Sequence, residues 1–365
     1  MTANHDGVMF VTGRFGVGGV ERVTILLANE FVRRGKRVCL AAFEYTDRLL
    51  LSTLDPNVEV VSLSFPVLSI KNIRILREVV ARKKIGLIVN QWALPFYLTM
   101  MLRVVVKKTA KILAVHHTMP NRNKRISGSA GLRNAIAIGV TKFSMRMVYR
   151  LSDSYVVLSR SYEPVFREFT GLPSTPKLFS IPNPIAVERH PEISKENVIL
   201  YVGRLSLTDK RVDRVIEVWR RVAEGLPDWR LEIVGDGPDR GTLEREAMGL
   251  PRLVFCGFCN PWEYYARSRI LLLTSDFEGV PMTVLEAKAC GCVPVVFGSF
   301  LTANDVVGKE DGIVVPAPWD PESFADSVRD LACDPTRLLE FSRKGLVGIG
   351  AFDIKTIADR FLALS

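Results

Sequence analysis

The chain has 365 residues, 48% hydrophobic and 24% charged, with 49 Lys or Arg against 39 Asp or Glu. That length holds two domains of ordinary size, each able to bury its own core, and the composition is that of a soluble globular protein. The net charge of +10 is uneven: Lys71 to Glu168 carries nineteen Lys or Arg against four Asp or Glu, a surplus of fifteen that leaves the remainder five negative. A basic stretch on one half points to an anionic partner, lipid or nucleic acid, and no nucleic-acid module accompanies it. The N-terminus MTANHDGVMF lacks a basic start and runs straight into a strand-like segment, so no signal peptide is expected. Six cysteines fall in apolar context. Cys256-Gly-Phe-Cys259 has the spacing of half a zinc site, but Cys290-Gly-Cys292 is too tight for the second pair, and buried reduced thiols of a cytoplasmic chain are expected.

Val8 to Thr12 reads as a short buried strand, and the turn Gly13 to Gly19 leads into a helix from Glu21 to Arg34 that Gly35 stops. Such a turn lets a phosphate approach backbone N–H groups that a Cβ would block, which makes Gly18 and Gly19 candidates, although the register is not GxGxxG. Val38 to Phe43, Val58 to Leu63, Ile85 to Asn90 and Lys111 to Val115 continue as strands, with helical stretches such as Ile70 to Lys83 between them. This alternation predicts a parallel sheet with helices on both faces, whose ligands sit beyond the carboxyl ends of the strands. Ile85 to Leu102 is eighteen residues without a charge, long enough for a membrane span. Asn90, Gln91 and Pro95 divide it into a strand and a helix from about Pro95. His116 and His117 stand at a strand end, where a histidine either packs or meets a ligand.

From Arg122 to Arg150 cations alternate with apolar residues such as Ile136, Val140 and Phe143. The pattern fits a helix lying on an anionic membrane surface, or one packed on its own domain with a solvated basic side. Tyr155 to Ser159 is a strand and Ser161 to Thr170 a helix. Ser180-Ile-Pro-Asn-Pro184 and the polar stretch to Asn197 read as a linker. Domains of residues 1–183 and 184–365 follow, with the last helix free to return to the first. The second opens with the strand Val198 to Val202. Arg204 at its end and Lys210 before the helix Val212 to Glu224 can converge on a diphosphate. Arg230 to Val234 and Leu253 to Cys256 are strands, and Gly235 to Pro238 reads as a turn rather than a binding loop.

Ile270 to Thr274 is a buried strand and Met282 to Cys290 a helix, so Glu278, with Gly279, Val280 and Pro281 after it, falls on the loop between them. A loop entering a helix presents free N–H groups and the positive end of its dipole, which suits a diphosphate. Glu286 lies about one or two turns into that helix, within reach of another part of the same ligand. Val293 to Phe297, Gly312 to Val315, a helix at Pro321 to Ala332 and one near Ile354 to Leu364 complete the pattern.

Glu278, seven residues and Glu286, with Gly-Val-Pro after the first, resemble the C-terminal signature of the retaining glycosyltransferases of family 4. GVGGVERV resembles that family's first loop, and IPNP its hinge. The resemblance implies an α/β GT-B fold: two Rossmann-like domains facing across a cleft, the first binding acceptor and the second a nucleotide sugar, with UDP as the expected nucleotide. Arg204 and Lys210 correspond to the clamp on the leaving diphosphate, where relatives place Gly after the Lys and this chain has Arg211. Glu278 would hold the donor sugar, Glu286 the ribose, and the loop Gly279, Val280, Pro281, Met282 the phosphates. Gly257 and Phe258 would line the base pocket. Gly18 and Gly19 would face phosphates and acceptor. Of the histidines, His116 is the stronger candidate for the donor and His117 the weaker. The resemblance implies no protein nucleophile, and in the absence of a DxD pattern at a strand end no metal or other cofactor is expected. A lipid-linked saccharide, lipopolysaccharide core or exopolysaccharide acceptor at the inner face of a bacterial membrane is expected, with peripheral contact through the basic domain. The alternatives are a nucleotide-sugar epimerase on the same fold and a scaffold that binds the sugar nucleotide without chemistry.

Overall fold

The computed structural model describes residues 5–16, 18–92, 95–107, 109–120, 132–186 and 194–365. Residues 121–131, at the start of the basic segment, and 187–193, in the expected linker, lie outside the described residues. The chain divides into two compact units, Met1–Ala186 with Ile354–Ser365, and Val187–Asp353.

In the first unit the strands are β1 (Gly7–Phe15), β2 (Val38–Tyr45), β3 (Glu59–Ser62), β4 (Ile85–Asn90), β5 (Lys111–His116), β6 (Ser154–Val157) and β7 (Leu178–Ser180). They form one parallel sheet in the order β3-β2-β1-β4-β5-β6-β7. The helices are α1 (Gly19–Arg33), α2 (Arg48–Leu51), α3 (Ile70–Arg82), α4 (Phe96–Val106), α5 (Leu132–Leu151) and α6 (Tyr162–Thr170). Strands such as β2 and β4 are buried almost throughout because helices cover both faces, so their sequences run apolar instead of alternating. One face of the sheet closes over Met9, Val11, Ile88 and Ile112, with Leu76 and Val79 of α3 and Leu98, Met101 and Leu102 of α4 packed on it.

The second unit contains β8 (Val198–Val202), α7 (Val212–Val222), β9 (Arg230–Val234), α8 (Arg240–Glu246), β10 (Leu253–Gly257), α9 (Trp262–Arg267), β11 (Ile270–Leu273), α10 (Met282–Ala289), β12 (Val293–Gly298), α11 (Ala303–Val306), β13 (Ile313–Pro316), α12 (Pro321–Cys333) and α13 (Pro335–Gly348). Its parallel sheet runs β10-β9-β8-β11-β12-β13. Val212, Val215, Ile216, Trp219 and Val222 recur at helical spacing on α7 and fill the core, where the Trp219 indole donates to the Pro251 carbonyl at 2.9 Å. The last helix, α14 (Ile354–Leu362), belongs to the first unit. Ile354 N–H donates to the Ile185 carbonyl at 3.0 Å, and Arg34 of α1 donates to the Lys355 carbonyl at 2.7 Å and pairs with Asp359.

The uncharged stretch from Ile85 to Leu102 divides into β4 and α4, and none of the described helices is long and apolar enough to cross a membrane. Several features depart from the sequence reading, among them the short helices α2, α8, α9 and α11, which it did not place. Gly13 to Phe15 are strand, because β1 is central and keeps pairing with β2 through Arg14↔Glu44 and Phe15↔Tyr45; the turn starts only at Gly16. The Trp92 ring lies where a Gly13 Cβ would stand, which explains that glycine. Strand β7 and helix α13 were not anticipated; α13 begins at Pro335, capped by Asp334, whose side chain accepts from Arg337 N–H.

The loop before α3 hangs on one side chain. Asn72, fully buried, accepts from Ser64 N–H at 3.1 Å and donates to the carbonyls of Ser64, Pro66 and Val67 at 2.8, 3.2 and 2.9 Å. Asn72→Ala is expected to destabilise the first unit by about 2–4 kcal/mol, because several buried backbone groups lose their partner. Urea unfolding followed by tyrosine and tryptophan fluorescence measures it.

Candidate functional site

In each sheet the strand order reverses once, between β1 and β4 in the first unit and between β8 and β11 in the second. Loops leaving such neighbouring strands diverge at their carboxyl ends and open a crevice for ligands. In the second unit these loops are Gly203–Arg211 and Thr274–Pro281, which contain Arg204, Lys210 and Glu278.

The two loops are laced together. Asp276 N–H donates to the Asp209 carbonyl, and Thr274 Oγ1 to the Arg211 carbonyl, both at 2.9 Å. Arg214 Nη1 reaches Asp276 Oδ1 at 2.6 Å and the Thr274 carbonyl at 3.1 Å, while Arg211 Nη1 reaches Asp276 Oδ2 at 3.2 Å. The Arg214 guanidinium is buried against the Phe297 and Trp319 rings, 5.0 and 4.7 Å from their centroids. The lacing brings Lys210 Nζ to 2.7 Å from Glu278 Oε1, a charge-assisted pair with the carboxylate largely shielded from water.

Arg204 is the exposed end of the cluster. Its exposed guanidinium pairs with Asp209 at 2.5 Å, and Asp209 also accepts from the Ser206 hydroxyl at 2.7 Å. Burial alone would raise the Asp209 carboxyl, but Ser206 and Arg204 outweigh it and hold the group below its ordinary value. The turn Gly235–Pro238 buttresses this loop: Leu205 N–H donates to the Asp236 carbonyl at 3.0 Å, and Leu207 N–H to Asp239 Oδ2 at 2.8 Å. A Cβ on Gly235 (φ 140°) would stand 1.9 Å from the Gly203 carbonyl oxygen, so only glycine lets the two loops touch.

Arg211 stands where relatives of the resembled family carry glycine, and its backbone is left-handed, φ 51° and ψ 51°. Arginine is disfavoured in that conformation, and it is anchored there by its bonds to Asp213 and Asp276 and by Thr274 on its carbonyl.

The Glu278 loop is fixed from the other side, where Thr302 Oγ1 donates to the Gly279 carbonyl at 2.5 Å and Ser299 Oγ to the Ser275 carbonyl at 2.6 Å. Val280, Pro281 and Met282 lead into α10. Pro281 at its N-cap offers no side-chain acceptor and its first turn holds no acid, so the nearest carboxylate before the helix is that of Glu278. Glu286 is only 2% exposed and accepts the Tyr265 hydroxyl at 3.0 Å. Gly257 (φ 73°) ends β10 and accepts Gly235 N–H at 2.8 Å, and Phe258 after it is exposed.

Gly18, Gly19 and His116 lie in the first unit. The Glu21 carboxylate folds back on the start of α1. Burial pushes it above its ordinary value, and the N–H groups of Glu21 and Gly16 and the charge of Arg14 oppose the shift. Its Oε2 lies 2.5 Å from where a Gly18 Cβ would be. Some of the amides expected to meet a phosphate at Gly18 are thus already engaged, whereas Gly19 has open space around it. His116 is 3% exposed, stacks on Tyr155 and has both ring nitrogens at 3.2 Å from hydroxyls, Nδ1 from Tyr155 and Nε2 from Thr118. Burial lowers it to about 4. His117 is half-buried with Nε2 on Gln91 Oε1, while its Nδ1 and Gln91 Nε2 have no hydrogen-bond partner among the described residues. Both of these unpartnered nitrogens are themselves buried, and Gln91, which follows β4 at the switch point, was not singled out by sequence.

The family described as Glycosyl transferases group 1 matches residues 184–345, and Glycosyltransferase Family 4 matches residues 17–189. The chain belongs to the family 4 glycosyltransferases, and its two parallel-sheet Rossmann-like domains are those of the GT-B fold. It is 31% identical over 216 residues to an exopolysaccharide phosphotransferase of Streptomyces coelicolor, covering 57% of this chain and 23% of that one. It is 27% identical over 323 residues to an uncharacterized glycosyltransferase of Haemophilus influenzae, covering 84% of each. Among solved structures it superposes with a TM-score of 0.76 at 11% identity on S. aureus TarM in complex with fondaparinux, alpha-GlcNAc-glycerol and UDP, over 98% of this chain and 99% of that one. At that identity the likeness speaks to fold alone.

Asp276→Ala is expected to destabilise the second unit by about 3–5 kcal/mol, because it strands the buried Arg214 charge. Arg211→Gly should stay within about 1 kcal/mol of the parent, as relief of the left-handed backbone offsets partly exposed ion pairs. Chemical denaturation of both variants checks the ordering.

The histidine makes a pH prediction for the first unit. A buried neutral His116 at about 4 against 6.5 unfolded means that the unfolded chain binds the extra proton between those values. Stability is full above about pH 6.5 and declines as pH falls toward 4, by about 3 kcal/mol from this group. His116→Gln should flatten that part of the curve in pH-dependent denaturation.

Proposed function

We propose that the chain is a retaining glycosyltransferase that moves a hexosyl or N-acetylhexosaminyl unit from a nucleotide diphosphate sugar, with UDP as the nucleotide, to a lipid-linked or polysaccharide acceptor in bacterial surface-glycan assembly. The observation that carries this reading is the 2.7 Å contact between Lys210 and Glu278 at the switch point of the second sheet, in the loops that lead to the start of α10. A diphosphate there competes for Lys210 and Arg204, and the sugar's hydroxyls compete for Glu278. The bond from the anomeric carbon to the diphosphate oxygen breaks while charge grows on the leaving group. Arg204, Lys210 and the amides at the helix start stabilise that charge, the largest lever in such a reaction. Glu286, positioned by Tyr265, receives the ribose hydroxyls, and Gly257 and Phe258 border the base. The acceptor oxygen attacks from the same face, and the leaving phosphate takes its proton, so no protein nucleophile is used. Of the two histidines at the end of β5, His116 is assigned to the donor and His117, next to it, takes second place. Cations of the protein stand in for a divalent ion. The exopolysaccharide and UDP named for the compared proteins agree with this donor and acceptor class.

A panel of nucleotide sugars in a thermal-shift assay identifies the donor, since a true one raises the melting temperature by mass action. With that donor, Lys210→Ala and Glu278→Ala are expected to lose about 100-fold or more in transfer rate, and a chelator to change nothing. Unimpaired transfer by Lys210→Ala, loss of activity on chelation, or an epimerised sugar formed without acceptor would each overturn the proposal.

A further inference from the structure

Helices α4 and α5 lie side by side in the first unit: Phe96 N–H donates to Ser144 Oγ at 3.2 Å, and Arg103 Nη2 to the Leu151 carbonyl at 2.7 Å, seven residues further along both. The inner face of α4, with Leu98, Met101, Leu102 and Val105, is core. Its outer face is also apolar. Tyr97, Met100 and Val104 are exposed at spacings of three and four, which puts them on one stripe. On α5, Ile136, Val140 and Phe143 repeat the pattern, 58%, 62% and 53% exposed. The stripes meet at Phe96, whose ring is 6.0 Å from Tyr97 and 5.5 Å from Phe143. A helix apolar on both sides is normally covered on both, and a continuous exposed apolar ridge marks a surface that docks.

The charges say what covers it. The two helices carry Arg103, Arg133, Lys142, Arg146 and Arg150 and no Asp or Glu, and Arg133 and Arg146 stand one turn beyond either end of the α5 stripe. A second copy of this chain would set these cations against themselves, which disfavours self-association. An anionic bilayer offers both halves of the complement: acyl chains for the ridge and phosphate headgroups for its flanks. None of the described helices can span a membrane, so the fit is to a helix pair lying in its plane.

We propose that the α4–α5 ridge is the docking surface of the protein on an anionic lipid bilayer, with Met100, Val104, Ile136, Val140 and Phe143 entering the headgroup boundary. The inference deepens the reading that the acceptor is lipid-borne, because the docked unit would meet that acceptor at the membrane surface.

The full-length protein is sedimented with phosphatidylcholine vesicles and with vesicles containing phosphatidylglycerol, at low and high salt. Expected is binding to the anionic vesicles that weakens with salt, and little to the neutral ones. Met100→Glu with Val140→Glu should bind roughly tenfold more weakly or worse. The milder pair Met100→Ser with Val140→Ser should weaken binding less, both with unchanged circular dichroism and unchanged thermal shift by the donor. The proposal is overturned if the parent stays in the supernatant with both vesicle types, if the folded variants pellet like the parent, or if ultracentrifugation shows a dimer that the substitutions dissolve. A donor shift without vesicle binding sinks only this inference, and vesicle binding without any donor shift sinks only the transferase reading.

Discussion

The second unit's site depends on one carboxylate. Asp276 binds Arg214 through one oxygen and Arg211 through the other, while its backbone N–H holds the Asp209 carbonyl. These bonds join the loop leaving β8 to the loop leaving β11, which the chain separates by more than sixty residues. Arg214 is buried against a pair of aromatic rings, so the ion pair is locked in by desolvation rather than strengthened by distance alone. Lys210 and Glu278 flank this junction, and their separation follows from it.

Arg211 illustrates how the junction tolerates a departure from pattern. The backbone path there turns left-handed, which glycine adopts freely and arginine does not. Three groups already belonging to the junction, Asp213, Asp276 and Thr274, take up the Arg211 side chain and carbonyl. The local strain is thus offset by tertiary bonds, and the loop keeps its course toward Lys210.

The strands and most helices were legible because buried parallel strands leave runs such as ILLL at 270–273, and helices leave the spacing of Val212, Val215, Ile216 and Trp219. Arg204, Lys210, Glu278 and Glu286 were legible as a motif. Gly13 to Phe15 were misread because glycine punctuates sequence, whereas here it makes room for Trp92. Asp209, Asp276, Tyr265 and Gln91 carried no signal, since each acts through a partner remote in sequence or through a neighbour of no distinctive type. The surroundings of His116 and His117 were also invisible: packing turns one ring toward Tyr155 and the other toward Gln91.

Both units offer a helix start near a switch point, yet the two starts differ electrostatically. At α1 the chain supplies its own anion: Glu21 is bonded to the amides of Gly16 and of itself, and Arg14 adds its field. A phosphate placed there would meet a carboxylate already in position. At α10 the N-cap is a proline, the first turn holds no acid, and Lys210 stands opposite with Arg204 in the same loop cluster. The two helix starts therefore present different charges: a carboxylate at α1, and at α10 the Lys210–Glu278 pair of the neighbouring loops. The electrostatic difference between two similarly wound sheets then rests on the placement of single charges: a glutamate two residues into α1, and none in the first turn of α10.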